Sequence, residues 1–319
     1  MSNWNQILQE INSEITSRSL AAQQASLAAQ QAIDTVRRKY LRSLSDHTER
    51  NTIAYYSGFL SKPWVLGMEI NDEDKNGLMM AIHGLERDKG LDLILHTPGG
   101  SIAAAESIVD YLKRMFGKDI RAIIPQIAMS AGTMIACACK KILMGKQSNL
   151  GPVDPQLNGI PAAGVIEEFR KAYEEIKQDP QKIVVWQFII QRYTPSFLGQ
   201  CENSIEWAKD FVRQQLEDNM FASHSDKSNL AEKIVAALTD FSGNKAHDRH
   251  IHFDECRDIG LVVQLLEDEQ TLQDLVLTVH HCYMHSLMNT PAFKMIENQN
   301  GAAFVKHQGT VQMPTPGTR

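Results

Sequence analysis

Apolar positions follow two different periods along this chain. In residues 1–45, Ile7, Ile11 and Ile15 recur every four positions, and Ile33, Val36, Tyr40 and Leu44 resume a similar stripe, which predicts helix. Between them, LAAQQASLAAQQA is rich in helix formers but weakly apolar, a pattern suited to docking or oligomerisation rather than catalysis. From Thr52 short apolar runs take over. TIAYYSGFL (52–60) reads as a strand, as do LDLILHT (91–97), DIRAIIP (119–125) and KILMG (141–145). The run at 91–97 is nearly continuous, as in a strand covered on both faces. Helices are predicted between these strands. One spans Asn71 to Leu85 and opens on Asn71-Asp72-Glu73-Asp74 as cap and acidic first turn. A second spans Ser101 to Phe116, with Ile102, Ala105, Ile108, Val109 and Leu112 on one side, and a third spans Ser130 to Lys140.

Strand and helix alternating in this way predict an α/β layered fold with mainly parallel strands, whose ligands sit beyond the carboxyl ends of the strands. Residues 164–177 and 182–240 read as mostly helical, with a loop near Tyr193-Thr194-Pro195-Ser196. Residues 244–265 read as short strand, helix and closing strand, and 272–287 as a helix. The expected division is a helical extension over 1–48, a catalytic domain over 49–290 and a polar mobile tail over 291–319.

Composition narrows the function classes. A net charge of −6 gives no support to a nucleic-acid partner. No run reaches the roughly 18–20 uninterrupted apolar residues of a membrane span. The N-terminal MSNWNQILQEINSEITSRS lacks the basic start and apolar core of a secretory signal, so a cytoplasmic protein is expected. Five sparse cysteines, two of them spaced C-x-C in an apolar run, read as small buried residues in a reducing compartment. They show no metal-site spacing. Neither nucleotide-binding glycine pattern occurs, and no cofactor is expected.

The chemistry is concentrated in three turns. The first, Pro98-Gly99-Gly100, follows the buried strand, and its glycines permit close backbone approach. Their N–H groups are candidates for half of an oxyanion hole or for the lining of a peptide groove. The second, Met129-Ser130-Ala131-Gly132, puts the Ser130 hydroxyl at a strand end and the Ala131 N–H at a helix start. On this turn alone, Ser130 reads first as a helix N-cap, a common use of serine, and otherwise as a nucleophile. The third is Gly151-Pro152-Val153-Asp154-Pro155.

Taken together, LHTPGGS, AMSAGT and SNLGPVDPQ resemble the serine dehydrogenase proteinase family, a branch of the Clp peptidase/crotonase superfamily related to signal peptide peptidase A. The resemblance covers roughly residues 50–265. It implies a spiral of strand-strand-helix units behind the N-terminal helical extension, a homo-oligomer and a polypeptide substrate. It makes Ser130 the nucleophile of a serine endopeptidase, with Gly99 or Gly100 and Ala131 as oxyanion donors. Where a Clp peptidase carries its histidine this chain has Asp154, and where it carries its aspartate this chain has Asp248 beside His247. Acid and base therefore look exchanged, giving Ser130, Asp154 and His247, which is admissible because geometry rather than chain order defines a triad.

Other bases are His252 and, for a Ser–Lys dyad like that of signal peptide peptidase A, Lys171. Alternation puts His250 and His252 on one face of an extended segment and His247 on the other. Lys171 lies off the stripe of Val165, Phe169, Ala172 and Ile176, flanked by Glu167 and Glu175, as on a solvated helix face. His96 and Asp92 read as strand packing. Two further functions fit the same fold: a crotonase-like acyl-thioester enzyme, and a catalytically inactive oligomeric scaffold.

Overall fold

The computed structural model describes residues 4–17, 22–240 and 249–309. Two helices, α1 (Trp4–Ser17) and α2 (Ala22–Thr48), lead into β1 (Asn51–Ser57). The core then alternates as α3 (Asp74–Ile82), β2 (Leu91–His96), α4 (Ile102–Phe116), β3 (Ile120–Ile124), β4 (Ile127–Ala128), α5 (Ala131–Cys137) and β5 (Lys141–Met144). β6 (Asn149–Leu150) and the small hairpin β7 (Gln156–Leu157) and β8 (Ile160–Pro161) follow. Four helices come next: α6 (Ala162–Gln178), α7 (Ile183–Ile190), α8 (Phe197–Gln215) and α9 (Lys227–Leu238). The chain returns through β9 (Ile251–His252), α10 (Phe253–Ile259), β10 (Val263–Leu265) and α11 (Gln270–Asn289), then ends in β11 (Ala292–Asn298) and β12 (Ala303–His307).

Seven strands form one sheet in the order β10-β5-β3-β2-β1-β11-β12. From β10 to β1 all neighbours are parallel, and β11 and β12 extend the sheet antiparallel. The result is a mixed α/β fold with a mostly parallel central sheet and helices at the N-terminus. Side-chain alternation assigns the two faces. Ile53, Tyr55, Leu91, Leu93, Leu95, Ala122, Ile124 and Ile142 pack with α3, α4, α5, α8 and α9. Ala54, Tyr56, Ile94, Ile123 and Leu143 pack with Leu41 and Leu44 of α2 and with Val276, Val279 and Tyr283 of α11. The apolar stripe of the N-terminal helices is consumed within the chain: Ile7 and Ile11 meet Ile33, Val36 and Cys282.

One expectation is corrected. The segment from residue 291 does not begin as a polar tail, because 292–298 and 303–307 are sheet strands and β11 is buried along its whole length. Its polar look comes from charges with distant buried partners. Glu297 accepts from Arg37 Nε (2.7 Å), Arg38 Nε (2.7 Å) and Tyr283 Oη (2.9 Å). The helix expected from Asn71 starts at Asp74, with Asn71 bonding the Glu73 N–H in the turn before it. A second small sheet, β4-β6-β9, was not foreseen, since its strands are two residues each.

Burial alone would raise the Glu297 pKa, but the Arg37 and Arg38 guanidiniums outweigh it and hold the carboxyl below its ordinary 4.5. The folded state thus prefers the carboxylate. Its contribution is complete above the unfolded value and is lost as pH falls through the lower folded one. Glu297→Ala, which leaves the buried Arg37 with Asp34 as its remaining ion-pair partner, is expected to cost about 3 kcal/mol in urea unfolding at neutral pH. That penalty should shrink in melts run below pH 4.5, where the wild type loses the same stabilisation.

Candidate active site

Backbone pairing brings the three turns together. Beyond β2, Thr97 bridges in parallel to Ala128: Thr97 N–H donates to Ile127 O and Met129 N–H to Thr97 O, both at 3.1 Å. β4 pairs in parallel with β6, so the turns after β2, β4 and β6 emerge side by side. Thr133 ties the second turn to the third. Its Oγ1 accepts from Gly151 N–H (3.1 Å) and lies 3.0 Å from Ala128 O and 2.9 Å from Gly151 O.

The glycines are there because nothing larger fits. A Cβ on Gly99 would stand 2.8 Å from both Met129 O and Ser130 Cβ, and φ is +99°. A Cβ on Gly100 would stand 2.3 Å from Ile70 O. Gly99 N–H is taken by Thr97 Oγ1 at 3.2 Å. Gly100 N–H and Ala131 N–H meet no acceptor among the described residues.

Ser130 itself has φ 48° and ψ −112°, a region that side-chain-bearing residues rarely occupy. Its side chain makes no capping bond to α5. The N-cap reading therefore fails on geometry, and the backbone instead holds the hydroxyl on a sharp strand-to-helix turn. Strain of this kind persists where the surroundings over-determine it. Here Gly132 N–H to Met129 O (2.7 Å) and Met134 N–H to Ser130 O (3.0 Å) lock the turn.

Ser130 opens into a cavity of about 630 Å³. Gly99 and Gly100 form one wall with Ile70, while Met134, Val153, Leu157 and Trp207 supply apolar lining. Asp154 is buried between Val153 and Pro155, both of which line the cavity. His247 and Asp248 lie outside the described residues. β9 runs antiparallel to β6, pairing Ile251 with Leu150 and His252 with Asn149. The N-terminal end of β9 thus meets the end of β6 that leads to Gly151, on the Ser130 side, while His252 lies at the far end.

The remaining candidates are elsewhere. His250 and His252 are exposed, and Lys171 sits on the solvent face of α6 with its Nζ 4.0 Å from Glu175. Asp92 is buried, accepting from Arg50 Nε (2.8 Å) and from Arg121 Nε (2.6 Å) and Nη2 (2.5 Å). His96 is fully buried among Tyr56, Phe59 and His280, and burial pushes its pKa down to about 3. Among the described residues no group of three or more His, Cys, Asp or Glu side chains is placed to hold a metal ion. Sequence reasoning missed Thr97, Thr133 and Ile70. The first two stood inside the quoted motifs, but only the fold shows their hydroxyls bridging the turns.

The strain at Ser130 has a measurable consequence. Ser130→Gly relieves the positive φ and Ser130→Ala does not, so the glycine variant is expected to be more stable than the alanine variant by about 0.5–1 kcal/mol in urea. Equal midpoints would mean that the turn holds no strain.

The sequence is similar to those of other proteins. The chain is 32% identical over 208 residues to an uncharacterized protein of Methanocaldococcus jannaschii, covering 65% of each. It is 31% identical over 194 residues to a second uncharacterized protein of that organism, covering 61% of this chain and 59% of the other. It thus spans just under two thirds of the length of these relatives. Over 76 residues it is 30% identical to the ATP-dependent Clp protease proteolytic subunit 2 of Thermobifida fusca, which is 23% of this chain and 37% of that one. With residues 22–300 matching the family model, the chain belongs to the ClpP-like SDH-type serine proteinases.

Proposed function

We propose that this chain is a serine endopeptidase acting on extended polypeptides, with Ser130 as nucleophile, His247 as general base and Asp154 as the base's carboxylate partner. The observation that carries the reading is the strained Ser130, which makes no capping bond and lines a cavity with Gly100, while the Gly100 and Ala131 amides have no acceptor among the described residues. His247 is preferred to His252 because β9 points its N-terminal end toward the Ser130 side. Lys171 is set aside by its position on the solvent face of α6.

In this mechanism the Ser130 Oγ attacks the scissile carbonyl carbon while its proton passes to the His247 imidazole. Negative charge moves to the carbonyl oxygen, where the Gly100 and Ala131 N–H groups receive it. Collapse of the tetrahedral intermediate breaks the C–N bond, and the imidazolium gives its proton to the leaving amine. Water, deprotonated by the same imidazole, then hydrolyses the acyl-serine ester. The apolar cavity and its glycine wall suit a substrate bound in extended form.

A homo-oligomer accompanies this proposal. The N-terminal helices have spent their apolar stripe on the chain's own core, so α7 is the better interface. Its Ile183, Val184, Val185 and Phe188 are all more than half exposed. Monomers rarely expose contiguous apolar patches beyond a few hundred Å². A cytoplasmic setting is proposed on the five free, buried cysteines, whose thiols burial raises (Cys139 to about 12). Among the described residues no helix is long and apolar enough to cross a membrane.

Fluorophosphonate labelling followed by mass mapping tests the chemistry, and the adduct is expected on Ser130. Ser130→Ala and His247→Ala should each lower peptide hydrolysis by about 10³-fold or more, with His252→Ala and Lys171→Ala close to wild type. Acyl-thioester turnover that survives Ser130→Ala, with no labelling, would instead select the crotonase-like reading. For the assembly, Val184→Glu/Phe188→Glu should reduce the mass seen by light scattering while the melt remains cooperative. An unchanged mass would remove α7 from the interface.

A further inference from the structure

A buried ion pair stands directly behind the glycine wall of the cavity. Lys294 of β11 and Asp74, the first residue of α3, are both fully buried. Lys294 Nζ donates to Asp74 Oδ1 (2.8 Å) and Oδ2 (3.0 Å) and to the Glu69 carbonyl (2.7 Å), using all three of its protons. Asp74 Oδ2 also accepts from Tyr55 Oη (2.7 Å) and from the Asn71 N–H (2.9 Å).

These bonds seize both peptide groups that flank Ile70. In the Glu69–Ile70 peptide the carbonyl is held by Lys294, and the N–H donates to Gly99 O at 2.7 Å. In the Ile70–Asn71 peptide the N–H is held by Asp74, and the carbonyl accepts from Ser101 N–H at 2.9 Å. Each plane is fixed at one end by the ion pair and at the other by the glycine turn. Gly99 C=O and Gly100 N–H belong to one planar trans peptide and point in opposite directions. Holding the Gly99 carbonyl on Ile70 therefore sets the direction of the Gly100 N–H, away from Ile70.

A buried ion pair is often no more stabilising than a well-packed apolar pair, so stability alone does not account for it here. We propose that Lys294 and Asp74 are positioning residues for the oxyanion site: through Glu69, Ile70 and Asn71 they orient the Gly99–Gly100 peptide so that the Gly100 N–H receives the developing charge. This rests on the reading of Ser130 as the nucleophile. The pair joins the last part of the chain to the catalytic turn without touching substrate.

The test uses the full chain carrying Lys294→Met/Asp74→Asn, which removes the charges together and leaves an acceptor for Tyr55 and Asn71. Four readouts are compared: kcat, KM, the Kd of a peptide boronate that forms a tetrahedral serine adduct, and the Kd of the parent peptide on a Ser130→Ala background. The expected result is a cooperative melt, kcat lower by roughly 10- to 100-fold, boronate affinity lower in proportion, and KM and parent-peptide Kd within about threefold. Tyr55→Phe, which removes one bond to Asp74, should lower kcat a few-fold at constant KM, and it decides the matter if the double variant does not fold. Unchanged kcat in a folded variant overturns the inference, as does an equal loss of peptide binding and kcat. Wild-type hydrolysis that does not depend on Ser130 overturns this inference and the proposed peptidase together. Ser130-dependent hydrolysis untouched by the variants overturns this one alone.

Discussion

The site depends on one steric constraint: two strand-to-helix turns must touch. Gly99 lies against Met129 O and Ser130 Cβ so closely that no side chain can intervene. That contact follows from the Thr97–Ala128 bridge, which continues the parallel order of the large sheet into the small one. Remove the bridge and the two turns are separate loops. With it, the positive φ of Ser130 is held from both sides, by α5 and by the glycine wall. The strain and the crowding are one arrangement, because the positive φ that turns Ser130 into α5 goes with a Cβ packed against Gly99.

Around that contact the fold divides its work by face. The side of the sheet bearing Tyr55, Leu93 and Ile124 carries α4 and α5 and so carries the cavity. The opposite side carries α2 and α11, with His96, Asp92 and Glu297 as its polar inclusions. His96 stands immediately before the glycine turn in the sequence, where it reads as strand packing. Strand alternation accordingly sends its ring to the other side, among aromatic neighbours, where burial disfavours its protonation.

The parallel core was legible in the chain because its strands are buried on both faces and its helices are amphipathic. The run at 91–97 became β2 at 91–96, and the helix expected at 101–116 became α4 at 102–116. Ser130 and the glycine turn were visible for the same reason: they punctuate that strong signal. β11 was hidden because periodicity scores Lys294, Glu297 and Asn298 as surface. Their partners Asp74 and Arg37 stand more than 200 positions away, and no local pattern encodes such a pairing. The strands of the small sheet are too short to show any period. The hydroxyl bridges of Thr97 and Thr133 are likewise products of tertiary contact rather than of spacing.

The place of β11 next to β1 also imposes an order on biosynthesis. β11 is made more than 200 residues after β1, so at ordinary translation speeds the two are separated by roughly ten to fifty seconds. During that interval the β1 edge has no neighbour on its β11 side, and Arg37 lacks Glu297. An unpaired apolar edge of this kind is an adhesive surface. The nascent chain therefore carries that edge until β11 and β12 leave the ribosome and complete the sheet beside β1.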